Sequence, residues 1–347
     1  MSVLNWLGGA LITAAVAVSG QAAAQTSLKV VAPWSNLNAY GKVEQPFWSK
    51  KFGELTGGQV TAQVTSYSEL GLSGVELLRL AKLGVFDIAH IVVGYSVADD
   101  PVIEGLELST LIQDIPTGQK ALDAYRPAVA ETLLKKHNLV LLGAYPNPSQ
   151  VLYCREPVKS LADLKGRKVR FYGASMNDFI SAAGAVGVSV PLAEVVPSLQ
   201  RGVVDCGITG TLTGYSFKWP EVTKNLYTMR FGWGLTLIAA SKAKWDALPK
   251  DRQEATRKAV GTLEQELWAL AASDDKAGLD CNTGRAACAY GAPAAMALTE
   301  PSAADEAERK RILQDVVLKK WAARCDKACV EQWNATVGKV AGVTAAP

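Results

Sequence analysis

The sequence predicts an α/β protein built as two lobes facing each other across a cleft. Strand-like and helix-like segments alternate along the 347 residues, which implies largely parallel sheets covered on both faces. The alternation occurs twice, one unit opening at Leu28–Ala32 and the second at Leu139–Ala144. A long amphipathic stretch then follows Leu248-Pro249. Connections that cross between two such units place their sheets on either side of a crevice, where strand ends collect binding side chains.

In order, Leu28–Ala32 reads as a strand that ends in the turn-prone Pro33-Trp34-Ser35-Asn36. A helix is expected from Tyr40 to Leu55, stopped by Gly57-Gly58. Val60–Ser66 alternates apolar and polar residues and reads as a strand with one buried face. Leu72–Lys82 has helical spacing, and Phe86–Val93 is apolar enough for a buried strand. The second unit begins with Leu139–Ala144, and Pro146-Asn147-Pro148-Ser149 after it reads as a small insertion. Then come a strand ending on Arg170, a helix, a second strand, a second helix and a short strand entered through Arg201-Gly202-Val203-Val204-Asp205. Further strands are expected at Leu226–Phe231 and Leu235–Ala240, the latter returning to the first sheet. A long helix should run from Arg252 to about Asp275 and another from Ala304 to Ala323, with a frayed tail beyond Gly338. Domain I is expected at residues 25–142 plus 235–275 and domain II at 143–234 plus 276–347.

Composition narrows the function. Hydrophobic residues make up 49% and charged residues 20%, which argues against disorder and against a multi-span membrane protein. The net charge of +3 is spread without basic blocks, so nucleic acid is not an expected partner. Leu7–Val18 is a short apolar run closed by Gln21-Ala22-Ala23-Ala24, the pattern of an export signal over residues 1–24. No Lys or Arg stands in the first six residues, which departs from that pattern and leaves a membrane anchor or buried helix as the rival reading. Six cysteines suit an oxidising compartment. Their placement suggests Cys281 with Cys288, Cys325 with Cys329, and Cys154 with Cys206, though spacing alone does not fix connectivity. A metal site is the weaker alternative, because His90 and His137 are the only histidines and neither neighbours a cysteine pair.

Three stretches carry a resemblance. They are Asp163-Leu164-Lys165-Gly166 through Arg170, Pro191-Leu192-Ala193-Glu194-Val195, and Leu199-Gln200-Arg201-Gly202-Val203-Val204-Asp205. In that order they resemble the DctP-type solute-binding proteins of tripartite ATP-independent periplasmic (TRAP) transporters. The likeness covers nearly all of the chain after the leader. It implies the bilobal periplasmic-binding-protein fold, type II-like, with a discontinuous first domain and a long bridging helix. It also implies that Arg170 binds a ligand carboxylate, a role that a planar, permanently charged fork suits.

Two departures from the family pattern bear on the ligand. Members that bind sialic acid or dicarboxylates often carry a second arginine where this chain has Tyr145, and an asparagine where it has Thr209. A Tyr and a Thr at those places suggest a less polar ligand with one carboxylate. Aromatic residues at strand ends agree: Trp34 and Tyr95 are candidates for the cleft wall, as is Trp233, with Trp219 behind them. Tyr40 and Asn147 are further ligand-binding candidates. His90, inside an apolar strand, reads as a core histidine, and no nucleophile elbow, zinc pair or phosphate loop is present.

The expected protein is therefore a non-enzymatic periplasmic receptor, without cofactor or metal, and monomeric. Its ligand is an organic acid, with a monocarboxylate of hydrophobic or aromatic body preferred over 2-keto or 2-hydroxy acids and dicarboxylates. The resemblance implies membrane permease subunits of a TRAP transporter as partners. A sensor in place of the permease, or an enzyme on the same scaffold, are the alternatives.

Overall fold

The computed structural model describes residues 26–96 and 100–346, so the expected export signal at residues 1–24 lies outside the described residues. No described helix is long and apolar enough to cross a membrane. The first sheet is built from β1 (Thr26–Ala32), β2 (Val60–Ser66), β3 (Ile88–Val92), β9 (Trp233–Ser241) and the first part of β4 (Leu139–Cys154). The second holds the last part of β4 with β5 (Lys168–Phe171), β6 (Val186–Ser189), β7 (Cys206–Gly210), β8 (Asn225–Tyr227) and β10 (Ala297–Thr299). Strand order along the continuous path is β2-β1-β3-β9-β4-β7-β5-β6, with β8 pairing β4 and β10. β1 and its two neighbours are parallel, as are β7, β5 and β6, while β9 and β4 run antiparallel through the middle.

β4 ties the two lobes together. Its residues up to Ser149 pair with β9, and from Gln150 onward it pairs with β7. The stretch Pro146–Ser149, expected as an insertion, is instead part of this 16-residue strand. The register slips between Leu141 and Gly143 and again between Pro146 and Ser149. Such bulges bend a strand and absorb prolines that cannot donate to the ladder. A second tie is the helix Lys250–Thr283, longer than expected by about two turns at its far end and spanning about 50 Å at 1.5 Å per residue. It touches the first lobe where the Trp268 Nε1 donates to the Ala144 carbonyl at 2.9 Å. It touches the second where Thr211 Oγ1 donates to Asp275 Oδ1 at 3.1 Å.

Several elements differ from their sequence reading. The helix expected from Leu72 begins at Leu77, because Gly71 and Gly74 take positive φ (65° and 102°) and shape a turn first. The strand expected to run to Phe231 stops at Tyr227. The tail beyond Gly338 is tied down rather than frayed: Asn334 exchanges hydrogen bonds of 2.9 and 2.8 Å with Ala345, which is buried. The helical segments at 303–322 and 327–341 also clamp the loop after β3. There the Trp321 Nε1 donates to the Pro101 carbonyl at 2.7 Å and the Trp333 Nε1 to that of Gly105 at 2.8 Å.

The three expected cysteine pairs are all joined, and Cys325–Cys329 spans a helix break as its short spacing requires. Cys154 and Cys206 face each other across β4 and β7. Replacing both by Ser frees a loop of 52 residues and is expected to lower stability by about 3–4 kcal/mol. The urea midpoint of the double variant reads this directly; a midpoint equal to that of the parent contradicts it.

Candidate functional site

Arg170 stands near the end of β5, between β6 and β7, where two parallel ladders deliver it to the cleft. It is fully buried. Its Nε donates to the Val190 carbonyl at 2.9 Å, and its Nη1 to the Ile208 carbonyl at 2.7 Å. Its Nη2 donates to the Tyr95 hydroxyl. Three of five guanidinium N–H groups are thus held, leaving one on each terminal nitrogen for a two-oxygen acceptor. Three rings surround the cation: Tyr172 at 5.2 Å, with Tyr95 and Trp219 each at 5.9 Å. Asp205 is not its partner; that carboxylate accepts the Lys168 N–H at 2.8 Å.

The guanidinium lines a cavity of about 40 Å³ between the lobes. From the first lobe come Trp34, Leu37, Val92 and Tyr95, with Asn147, Gln150 and Gly234 from the strands that cross. From the second come Tyr172, Leu192, Thr209 and Thr213. Trp34 packs against Tyr95 with ring centroids 5.5 Å apart, and Tyr95 stacks on Tyr172 at 5.1 Å and 16°. Burial raises the Tyr95 hydroxyl pKa above its ordinary value, partly offset by Arg170, so this ring stays a neutral partner. Asn147 is oriented by Nδ2 bonds to the Gly234 carbonyl at 2.8 Å and to Thr236 Oγ1 at 3.1 Å. Among the described lining residues Arg170 carries the one formal charge.

The structure therefore brings Arg170, Trp34, Tyr95, Asn147 and Thr209 to one cavity. It does not bring Tyr145, Tyr40 or Trp233 there. Tyr145 points into the first lobe's core, where its hydroxyl donates to Glu44 and meets His90 Nδ1 at 3.0 Å. His90 is buried in that same group, accepting the Trp48 Nε1–H on Nε2 at 3.0 Å, as its core reading anticipates. Tyr40 is buried with its hydroxyl toward Glu69, and Trp233 packs under Arg230 at 5.5 Å beside a different small cavity. Tyr172 and Gln150 were not singled out from sequence. Tyr172 stands just past the end of β5, two residues beyond Arg170, and that closeness to the arginine is the signal that could have named it. Gln150 gives no such signal, since it is placed by the point at which β4 changes sheets.

A family model of bacterial extracellular solute-binding proteins, family 7, matches residues 34–322. The chain belongs to this family of DctP-type TRAP solute-binding proteins. It is 31% identical to a solute-binding protein of Albidiferax ferrireducens, over 41% of this chain and only 43% of that relative. It is 27% identical to the 2,3-diketo-L-gulonate-binding periplasmic protein of Escherichia coli, over 64% of this chain and 70% of the relative. In fold it is similar to an extracytoplasmic solute receptor of Bordetella pertussis that binds pyroglutamic acid. The TM-score is 0.80 at 24% identity, covering 90% of this chain and 99% of that one. Its bilobal fold is the periplasmic-binding fold of these receptors.

Within this cavity the Tyr95 hydroxyl holds one arm of the guanidinium. Tyr95→Phe removes that hydrogen bond while keeping the ring stack. Affinity for a carboxylate ligand is expected to fall about five- to tenfold, measured by calorimetric titration. An affinity equal to the parent's shows that Arg170 is aimed without Tyr95.

Proposed function

We propose that this protein is an extracytoplasmic receptor that binds a compact organic monocarboxylate with a ring or hydrophobic body and hands it to a TRAP-type permease. One observation carries the reading. A buried guanidinium, gripped by two backbone carbonyls and a tyrosine, has two N–H groups unclaimed in a cavity without another formal charge among its described residues. Such a site is short of one negative charge, and a carboxylate fills both free donors at once.

The remaining lining selects the body of the acid. Trp34, Tyr95 and Tyr172 offer flat aromatic walls, and Leu37, Val92 and Leu192 close the apolar part. Asn147, Gln150, Thr209 and Thr213 can each take one polar substituent, such as a ring amide, keto or hydroxyl group. A dicarboxylate would leave its second charge facing neutral groups, and the small cavity disfavours extended sugar acids. Export and delivery to a two-subunit permease rest on family membership.

A thermal-shift screen of small acids against the exported form tests this reading. A ligand at a hundredfold excess over its dissociation constant adds about 2.7 kcal/mol to stability. Cyclic and aromatic monocarboxylates are expected to give the large shifts. Arg170→Ala strands the ligand's charge in the cavity and should weaken binding by about 3 kcal/mol or more, over a hundredfold. Arg170→Lys should recover little of it, because an ammonium cannot match the bidentate geometry. Equal shifts for Arg170→Ala and its parent remove Arg170 from the site, and a response confined to dicarboxylates overturns the ligand class.

A further inference from the structure

Tyr172 is held in a way that the wall of a pocket does not require. It belongs to the second lobe, just past β5, yet its ring and hydroxyl enter a slot made by residues of the first. A Cβ built on Gly94, which follows β3, would stand 2.5 Å from the ring's Cε2. A Cβ on Gly234, at the start of β9, would stand 3.0 Å from the Tyr172 hydroxyl. Neither position leaves room for any side chain while the ring is seated. At the end of the slot the hydroxyl donates to Glu107 Oε1 at 3.0 Å, and Glu107 Oε2 accepts the Leu235 N–H of β9 at 3.0 Å. Glu107 itself is on the loop clamped by Trp321 and Trp333, so the receiving carboxyl is fixed.

The position of this contact matters as much as its chemistry. Tyr172 stacks on Tyr95, which bonds Arg170, and Arg170 lies two residues earlier, near the end of β5. Opening the lobes would withdraw Tyr172 from the slot, break its hydroxyl bond and part it from Tyr95. Closing them restores all of these contacts together.

We infer that Tyr172 is the latch of this receptor, its hydroxyl seated on Glu107 when the lobes close, and that this pair sets the open-to-closed ratio and hence how long an acid is retained. The inference rests on the receptor reading above and concerns the regulation of that same site. Both residues are positioning residues for ligand retention: Tyr172 also lines the cavity, whereas Glu107 acts through it.

The titration of Glu107 gives the latch a pH dependence with a definite sign. In the closed form burial pushes the Glu107 carboxyl up to about 8, against the lowering effect of its Leu235 and Tyr172 hydrogen bonds. The groups that face it are Tyr172 and, behind that ring, Arg170 and Tyr95. On its own loop it faces Glu104, which is paired with Arg324 at 2.7 Å. Water entering the opened slot would return the carboxyl toward its ordinary range. A group whose pKa is raised in the closed form favours closure at low pH, and that contribution is lost as pH rises through about 8.

The test reads closure itself. Spin labels on Leu70→Cys and Ser189→Cys, both exposed and each beyond or at the cleft-side end of a strand, report the interlobe distance by pulsed electron spin resonance. In ligand-free protein at pH 6, Tyr172→Phe and Glu107→Ala are expected to raise the open-to-closed ratio about five- to tenfold. Between pH 6 and pH 9 the parent's ratio should rise more than tenfold, while Glu107→Gln, uncharged throughout, stays flat. Identical distance distributions in all four proteins, at both pH values, overturn the latch. A rise with pH that persists in Glu107→Gln overturns the assignment of the proton to Glu107. A second arm follows release of pyroglutamate by stopped-flow tryptophan fluorescence, in which Tyr172→Phe should speed dissociation about tenfold. The two readings separate cleanly. If distances respond but no acid in the screen binds, the latch stands and the acid-receptor reading fails. If acids bind through Arg170 and distances do not respond, the reverse holds.

Discussion

The arrangement turns on a cation placed where water cannot reach it. Among the described residues Arg170 is held by neutral groups: two carbonyls, a hydroxyl and three ring faces. These orient the guanidinium and soften its desolvation, but none cancels its charge. A buried ion without a counter-ion is costly by several kcal/mol, even after relaxation. Asp205 is turned to the Lys168 N–H, and Glu107, beyond Tyr172, has its carboxyl pushed up to about 8 by burial, which disfavours its charge. The site is therefore incomplete electrically, and in the function proposed above an anion relieves a penalty already built into the fold.

Holding such a charge rigidly between two lobes requires connections that bend without slipping. β4 provides one, since a single strand serves both sheets and its bulges lie at the crossing. The Cys154–Cys206 bridge fixes β4 to β7 on the second-lobe side of that crossing. The helix Lys250–Thr283 provides another connection, reaching from Ala144 in the first lobe to Thr211 in the second. Asp275 on that helix accepts Ser149 N at 3.0 Å and the Arg230 guanidinium at 3.2 Å, so the crossing point itself is pinned. A hinge confined to so few residues makes closure a nearly rigid-body motion. That is the condition under which one side chain entering a slot can report the state of the whole.

The legible part of the sequence was the part written in local pattern. The alternation of strands and helices announced the fold, and the Asp163–Arg170 and Leu199–Asp205 stretches announced the family and its arginine. Arg170 and Thr209 could be named from the family pattern they fill or depart from, and Trp34 and Tyr95 because each follows a strand. Tyr145 looked equivalent by position, but a buried acid, Glu44 on the helical run 40–55, draws its hydroxyl into the core. Trp233 is displaced by the register slip opposite Ser149, a bulge that no residue type announces. Glu107 was invisible for another reason. Its loop is placed by Trp321 and Trp333, more than two hundred residues later in the chain.

Arg170 lies on β5 and Tyr172 immediately past its end, two residues on, and that spacing joins recognition to closure. Both side chains line the same cavity, so the end of β5 presents its cation to the cleft together with the ring. Tyr95 meets both, one through its hydroxyl and the other through its face. An anion that draws the guanidinium into register therefore favours the same geometry that seats Tyr172 against Gly94 and Glu107. Ligand and latch are coupled through shared contacts rather than through a distant relay. The coupling free energy is then the difference those contacts make between open and closed forms, and it acts equally in both directions.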